Sequence, residues 1–453
     1  MYKLFRTPKR KPVSKAYADI RTPEPRISSF VVFLLKMLAR LYLFLFLGVA
    51  KAVLQGEDHV FKAFERALSK KSRCIIAFRH PNGGEPQLLS WFFLLKLKGL
   101  ALKKGIRFAR PPHAVFVYGY EVVRWGGWVA KFVMPNVGAM PVYHAKIDRK
   151  GMTRINDAIA EGPYPVALAP EGHVSYTTDS VLRLEPGLFH LGFHAAHRLS
   201  RKGSDCSVEV LPLSVHFSFG SWGVLTLELL LRKIERVCGF SGWGRRKLPF
   251  TERTRQCRDH ILEANEKRYQ IKSDTSLSFA DRLNRVIASA LETSERMMGL
   301  KSEGEYFNRF YMVRQLCWDQ IFLPGIYNLN DKTQVERSIL DLKAGEAWYI
   351  SRHVELIDFC WYFRVPIPED DAALHKKIEY SQNLWDFASR TIGGEIKNRV
   401  SVFPRKVIIR AAPVINLSER LPAYQRDRKE AITQAVSDLE KEYLNCISNW
   451  RSG

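Results

Sequence analysis

His80 and Glu85 are the residues whose types and spacing most clearly could do chemistry. The segment Phe78-Arg79-His80-Pro81-Asn82-Gly83-Gly84-Glu85 sets a histidine just after a short apolar run, with a carboxylate five positions later across two glycines. An imidazole at the end of a strand is well placed to face a cleft. A carboxylate within reach can hold its Nδ1–H, which fixes the tautomer and leaves Nε2 free as a general base. The glycines let the loop fold back far enough for the carboxylate to reach. Taken alone the pair is a modest signal, because a loop histidine near a glutamate is more often a surface hydrogen bond than a catalytic dyad.

The elements that must position this pair follow an α/β rhythm from 58 to 222. Arg73–Phe78, Ala114–Tyr118, Met140–Tyr143, Val166–Ala169 and Val208–Val215 read as short buried strands, and Pro86–Lys98 as a helix with a heavy apolar face. In such sheets the chemistry sits where the strands end. From 223 to 400 helical periodicity takes over, in Phe279–Met298, Tyr306–Phe322, Gln334–Phe363 and Ala373–Arg390. Ser278 reads as an N-cap with Asp281 three residues on, and Pro366 and Pro368 separate the last two helices. A strand, Lys406–Arg410, then returns, followed by AAPVINLS and an amphipathic helix over Ala423–Ile447, so that 401–453 closes the fold.

Three further blocks change the weight of the His80 pair. Gly138-Ala139-Met140-Pro141-Val142-Tyr143-His144 comes first, then Ala169-Pro170-Glu171-Gly172-His173-Val174-Ser175, and last Val210-Leu211-Pro212-Leu213-Ser214-Val215. In this order and spacing, over residues 60–220, the four blocks resemble the glycerolipid acyltransferase family, whose archetype is the lysophosphatidate acyltransferase. That family has a His-x4-Asp motif, a Gly-x-x-Pro-Val-x-Arg-like block, a Pro-Glu-Gly-Thr-Arg-Ser block and a Val-Pro-Val-like strand. The closing VIIRAAPVINLS and final helix look like the family's last segment.

The resemblance implies an α/β acyltransferase domain, a mixed sheet flanked by helices, with 223–400 as a large all-helical insertion. It implies that His80 takes the proton from an acceptor hydroxyl, that Glu85 orients and stabilises His80, and that the freed oxygen attacks the thioester of acyl-CoA or acyl-carrier protein. No metal and no other cofactor is expected. Gly138, Pro141, His144, Pro170, Glu171, Gly172 and Ser175 fall at substrate-binding positions, with Glu171 and Gly172 shaping the acceptor pocket. Backbone N–H groups near His80 or in the Gly138 block are candidates for holding the oxyanion.

The departures bear on the acceptor. Glu85 replaces the family Asp and is one methylene longer. The two family arginines that grip the acceptor phosphate are missing, since their positions hold His144 and Val174. Neither can bind phosphate bidentately as a guanidinium does. Arg149, Arg154 or Arg183 could supply a substitute charge. The expected acceptor is therefore a lipid alcohol other than simple lysophosphatidate.

Composition agrees with a lipid-facing role. Seventy Lys and Arg stand against 46 Asp and Glu, a net charge of +24, which draws a chain to polyanions. The aromatics sit in apolar runs, not interleaved with Arg and Gly, and there is no zinc-finger, zipper or RNP-type motif, so an anionic membrane surface is favoured over nucleic acid. The seven cysteines are scattered with no CxxC pair, as in reduced thiols facing the cytosol.

Within 28–57, Phe30–Ala52 has the length of a span but is interrupted by Lys36 and Arg40, four apart on one helical face. Three placements are open: interfacial, spanning with the cations facing protein, or buried core. The first is favoured, since one basic stripe suits the interface. Residues 1–27 form a basic tail, with Lys3 to Lys15 reading as disordered and attracted to anionic lipid. The apolar run begins about thirty residues in, too late for a short cleavable leader.

Other residues invite weaker readings. His190, His194 and His197 share a helical face, but without a carboxylate ligand they read as packing residues more than a zinc site. His113 and Tyr118 could line the groove or belong to the core. Trp125 and Trp128, near Lys131, and the run Trp91–Lys104 suit either a lipid interface or ordinary packing. Trp318, Trp348, Trp361 and Trp385 read as core of the insertion. Two other functions stay open: a thioesterase, with water replacing the alcohol at His80, and a non-catalytic lipid-binding relative.

Overall fold

The computed structural model describes residues 14–19, 24–120, 122–123, 126–143, 148–394 and 399–451. The chain divides into two compact units, one of Thr22–Ser218 with Pro404–Gly453 and one of Met1–Arg21 with Phe219–Phe403.

The first unit is mixed α/β. Its strands are β1 (Val49–Gln55), β2 (Ser72–Phe78), β3 (Val115–Gly119), β4 (Met140–Val142), β5 (Val166–Leu168), β6 (Ser207–Phe219), β7 (Arg405–Ala411) and β8 (Ile415–Asn416). They form one eight-stranded sheet in the order β1-β7-β6-β2-β5-β3-β4, with β8 antiparallel to β6. The pairs β1–β7, β2–β6, β2–β5, β3–β5 and β3–β4 are parallel. The C-terminal ends of β2, β5, β3 and β4 therefore share one edge of the sheet, where the polar loops begin.

β2 reads SRCIIAF and is almost entirely buried because it is a central strand covered on both faces. The helices of this unit are α1 (Ser29–Leu47), α2 (Glu57–Leu68), α3 (Glu85–Trp91), α4 (Gly127–Asn136), α5 (Arg149–Glu161), α6 (Gly187–Arg201) and α7 (Arg428–Arg451). Ile75, Val166 and Val210 from the sheet share one core with Ile155 and Ile159 of α5, Phe189 and Phe193 of α6, and Leu439 and Tyr443 of α7.

Three local features differ from the expected elements. The apolar run does not stay helical to Ala52: Gly48, at φ 67°, caps α1 in the left-handed region, and the next residues become β1 by pairing with β7. The helix expected over Pro86–Lys98 is α3 followed by a π-helical turn, Phe92–Leu97. The closing helix is split at Asp427, between Leu421–Arg426 and α7.

The second unit is helical, built from Trp222–Val237, Phe250–Arg268, Phe279–Met297, Tyr306–Ile321, Gln334–Tyr362 and Leu374–Thr391. It takes in the early residues as well, because Tyr17–Ala18 pairs in parallel with Phe322–Leu323 and Ala16 N–H donates to Asp341 Oδ1 at 2.9 Å. Most of the Lys3 to Lys15 stretch lies outside the described residues. Ser278 accepts the Asp281 N–H at 3.1 Å, and Thr333 with Glu336 forms a full capping box that the sequence reading passed over. Buried ion pairs, Arg282 with Glu266 and Arg253 with Glu235, stitch the helices. Trp348 and Trp385 are buried, while Trp318 and Trp361 are only half-buried. All seven cysteines are free thiols and six are buried.

Candidate active site

β2 delivers His80. Its pairing with β6 continues one residue past the strand, where Arg79 N–H donates to Leu213 O at 2.9 Å, and His80 is the next residue out. The ring is held edge-on to Phe78, with centroids 5.9 Å apart. Glu85 opens α3 and is fully buried. Between them Gly83 sits at φ 96°, a left-handed turn that a side chain would strain, and this folds the chain back on itself.

The result is a direct His80 Nδ1 to Glu85 Oε2 hydrogen bond of 2.7 Å. Glu85 holds two more donors, Asn82 N–H on Oε1 at 3.0 Å and Gly83 N–H on Oε2 at 2.8 Å. Burial pushes the Glu85 carboxyl up and is the largest single influence. The His80 hydrogen bond and charge, with a smaller pull from Arg405, outweigh it and hold the group below the usual carboxylate range. An ionised carboxylate only accepts, so Nδ1 carries the proton. Nε2 makes no hydrogen bond among the described residues, and the side chain keeps 17% of its surface open. The arrangement is that of a positioned general base.

Glu171 lies just beyond β5, the strand next to β2. It is 3% exposed, and both of its oxygens hold protein donors: Oε2 accepts the His80 backbone N–H at 2.6 Å and Oε1 accepts Arg79 Nε at 3.1 Å. Its carboxylate thus holds both His80 and Arg79. Arg79 is fully buried, and its remaining nitrogens donate to the carbonyls of Thr178 at 2.8 Å, Thr177 at 2.9 Å and Ser180 at 2.6 Å. One guanidinium so ties the end of β2 to the loop after Glu171.

The rest of that block packs around the same point. Ser175 N–H donates to His80 O at 3.0 Å, and the buried Ser175 Oγ has no hydrogen-bond partner among the described residues. Gly172 N–H closes a turn on Ala169 O at 3.1 Å, and Pro170 O accepts Glu185 N–H at 2.6 Å. The next residue, Tyr176, is buried with φ 58°, a conformation that costs a non-glycine residue roughly 1–3 kcal/mol and that clusters at functional sites.

The Gly138 block stands apart. Pro141 pairs with Tyr118 on the edge strand β4, three strand spacings from β2, or about 14 Å. Gly138 N–H donates to Arg26 O at 3.0 Å. His144 lies outside the described residues, as does Trp125. The backbone N–H groups of His80, Asn82, Gly83 and Gly138 are all donated within the protein.

Of the arginines considered as a phosphate grip, Arg154 is paired with Glu24 at 2.8 Å and Arg183 with Glu185 at 3.3 Å, while Arg149 is exposed. His194 Nδ1 bonds Asn156 Oδ1 at 2.8 Å, and no group of three or more potential ligands forms a metal site among the described residues. His113 is buried on the Val137 carbonyl at 3.0 Å, with burial holding its basicity down. The segment from Trp91 to Lys104 is a core segment with an exposed basic edge, its Trp91, Phe92, Phe93 and Leu97 buried.

Sequence reasoning passed over three contributors. Arg79 was visible only as a cation beside the histidine. Arg405 of β7 donates to Asn82 Oδ1 at 3.0 Å and lies over the Phe217 ring at 4.4 Å. Tyr443 of α7 lies 6.0 Å from the Arg79 guanidinium, and burial first, then the Glu171 charge, holds its phenol well above the ordinary range. Compared with protein-family models, characterised sequences and solved structures, the chain matches none.

Proposed function

We propose that the chain is an O-acyltransferase working at a membrane surface, moving an acyl group from acyl-CoA or acyl-carrier protein to a lipid hydroxyl in glycerolipid or related lipid biosynthesis. The observation that carries this is His80, oriented through Nδ1 by a buried ionised Glu85 and open at Nε2. In this reading Nε2 takes the proton from the acceptor hydroxyl as its oxygen attacks the thioester carbonyl carbon. The tetrahedral intermediate then expels the thiolate, the C–S bond breaks, and the imidazolium returns its proton to sulfur. The protein base ends unchanged and no covalent enzyme intermediate forms.

The acceptor follows from the charges. Of the three arginines considered as a phosphate grip, Arg154 and Arg183 are already paired with carboxylates, which weighs against a grip on a free phosphate monoester. A neutral lipid alcohol or glycolipid fits better than lysophosphatidate. We further assign the enzyme to the cytoplasmic face, in keeping with its free cysteines and the exposed apolar α1.

Purified protein offered an acyl-CoA and a panel of lipid alcohols should release thiol in step with acyl ester. His80→Ala should lose at least about 100-fold in rate, the usual worth of a general base, with unchanged thermal stability. Thiol release at full rate without acceptor would favour a hydrolase, and an unaffected His80→Ala rate would refute the mechanism.

A further inference from the structure

Helix α1 turns ten large apolar side chains to solvent, among them Phe30, Phe33, Met37, Leu41 and Leu45, whereas only Val31 and Leu43 are fully buried. Its two cations, Lys36 half-buried and Arg40 exposed, both have neighbours in the protein. Arg40 donates to the Ala50 carbonyl at 2.8 Å and lies over the Trp91 ring at 5.8 Å, and Lys36 is close enough to His113 to lower its basicity. The helix is about 28 Å long, enough to cross a bilayer by length alone.

Its ends decide the orientation. Before α1, Arg26 and Ser28 N–H donate to Pro135 O and Asn136 O, both at 2.8 Å, so the entry is fastened to the end of α4. After α1, the chain passes through Gly48, whose carbonyl accepts Arg405 N–H at 2.9 Å, straight into β1 of the sheet. In between, α1 packs on α3 and α4, and Leu47 comes within 3.1 Å of a Cβ built on Gly84 in the His80–Glu85 loop. Both ends belong to one folded unit, and a helix so fastened cannot carry one end to the far side of a membrane. α4 adds Trp128, Val129 and Phe132, all exposed, with Trp128 at 78%.

The surrounding charge names the surface. Residues 25–56 and 86–120 contain ten Lys and Arg and no Asp or Glu, and Arg40 and Lys96 both lie against the Trp91 ring. An apolar face bordered by cations fits a leaflet of anionic phospholipid.

We infer that α1 lies in one leaflet of an anionic bilayer without crossing it, assisted by Trp128 and Phe132 of α4, so that the His80–Glu85 loop beside Leu47 opens at the lipid surface. This rests on the membrane-surface reading above.

The test uses the full chain with one epitope tag at each end. In sealed vesicles of phosphatidylcholine with phosphatidylglycerol, added protease should remove both tags without detergent. An N-terminal tag protected until detergent is added, with the C-terminal tag cut, would overturn the inference. Flotation should show binding to these vesicles and little to phosphatidylcholine alone. Equal binding to both, or to neither, also overturns it. The double variant Met37→Glu with Leu41→Glu, both exposed, should bind about ten-fold or more weakly while its melting temperature stays unchanged. Trp128→Ser with Phe132→Ser, on the other helix, should weaken binding as well. Unchanged binding in both variants would count against the face. His80→Ala should bind as the parent does. Intact tag removal and flotation with no acyl transfer would sink the enzyme reading alone, and acyl transfer with a protected N-terminal tag would sink only the orientation.

Discussion

Glu171 accepts the backbone N–H of His80 at 2.6 Å, while its other oxygen is held by the buried Arg79 at 3.1 Å. Under the proposed function this carboxylate is a positioning residue that holds His80. Glu171→Gln replaces one accepting oxygen with an NH2 group. Whichever way the amide turns, a donor then faces either Arg79 or the His80 N–H, and a buried charge-assisted bond is lost, at about 1.5–3 kcal/mol. The expected kinetic outcome is a kcat about ten- to hundred-fold lower with the acceptor KM nearly unchanged. A raised acceptor KM at constant kcat would instead put this side chain in contact with the acceptor.

Glu85 holds three donors with two oxygens, so an amide cannot replace it. In Glu85→Gln the NH2 group faces either Asn82 N–H or the His80 and Gly83 donors. Turned toward His80, it makes Nδ1 an acceptor and moves the ring proton to Nε2, which abolishes the base. A loss of about 10³-fold or more in kcat is expected, as for other histidine bases deprived of their carboxylate. Glu85→Asp, which keeps the charge, should retain more rate than Glu85→Gln. The sign for stability follows from the lowered carboxyl. The Glu85 contribution is present above its unfolded value of about 4.3 and is lost as pH falls through the lower folded value. Melting curves from pH 5 downward should thus fall more steeply in the parent than in Glu85→Gln, and parallel curves would argue against the assigned ionisation.

What could be read in advance was local. SRCIIAF announces a central strand by its unbroken apolar run, and the glycines after it announce a loop able to return Glu85 to His80. Ser278 and Asp281 mark a helix start by themselves. What could not be read is carried by partners far away in the chain. VAKAVLQ continues an apolar helix until β7, more than 350 residues later, claims it as a strand. Arg79 looks like any cation flanking a motif until Glu171 and the carbonyls of Thr177, Thr178 and Ser180 converge on it. Arg405 enters the same loop from the closing segment. Pattern gives the periodicity of a segment, but the choice between two partners for one side chain is made by packing.

The helical unit carries its own acid sensitivity at His353. Its Nδ1 lies 2.6 Å from the Tyr269 hydroxyl, and burial, with a smaller push from the Arg268 charge, lowers its pKa to about 4. A neutral His353 can accept a hydrogen bond from the Tyr269 hydroxyl at Nδ1, which the charged ring cannot. Because the folded value lies below the unfolded value of about 6.5, the unfolded chain binds the extra proton first. Stability should therefore be full above pH 6.5 and decline as pH falls from there toward 4, by roughly 2–3 kcal/mol at most. His353→Gln keeps an acceptor for Tyr269 but cannot titrate. Denaturant titrations at pH 7 and pH 4.5 should show a smaller loss in the variant than in the parent. An equal loss in both would mean that acid destabilises this unit elsewhere.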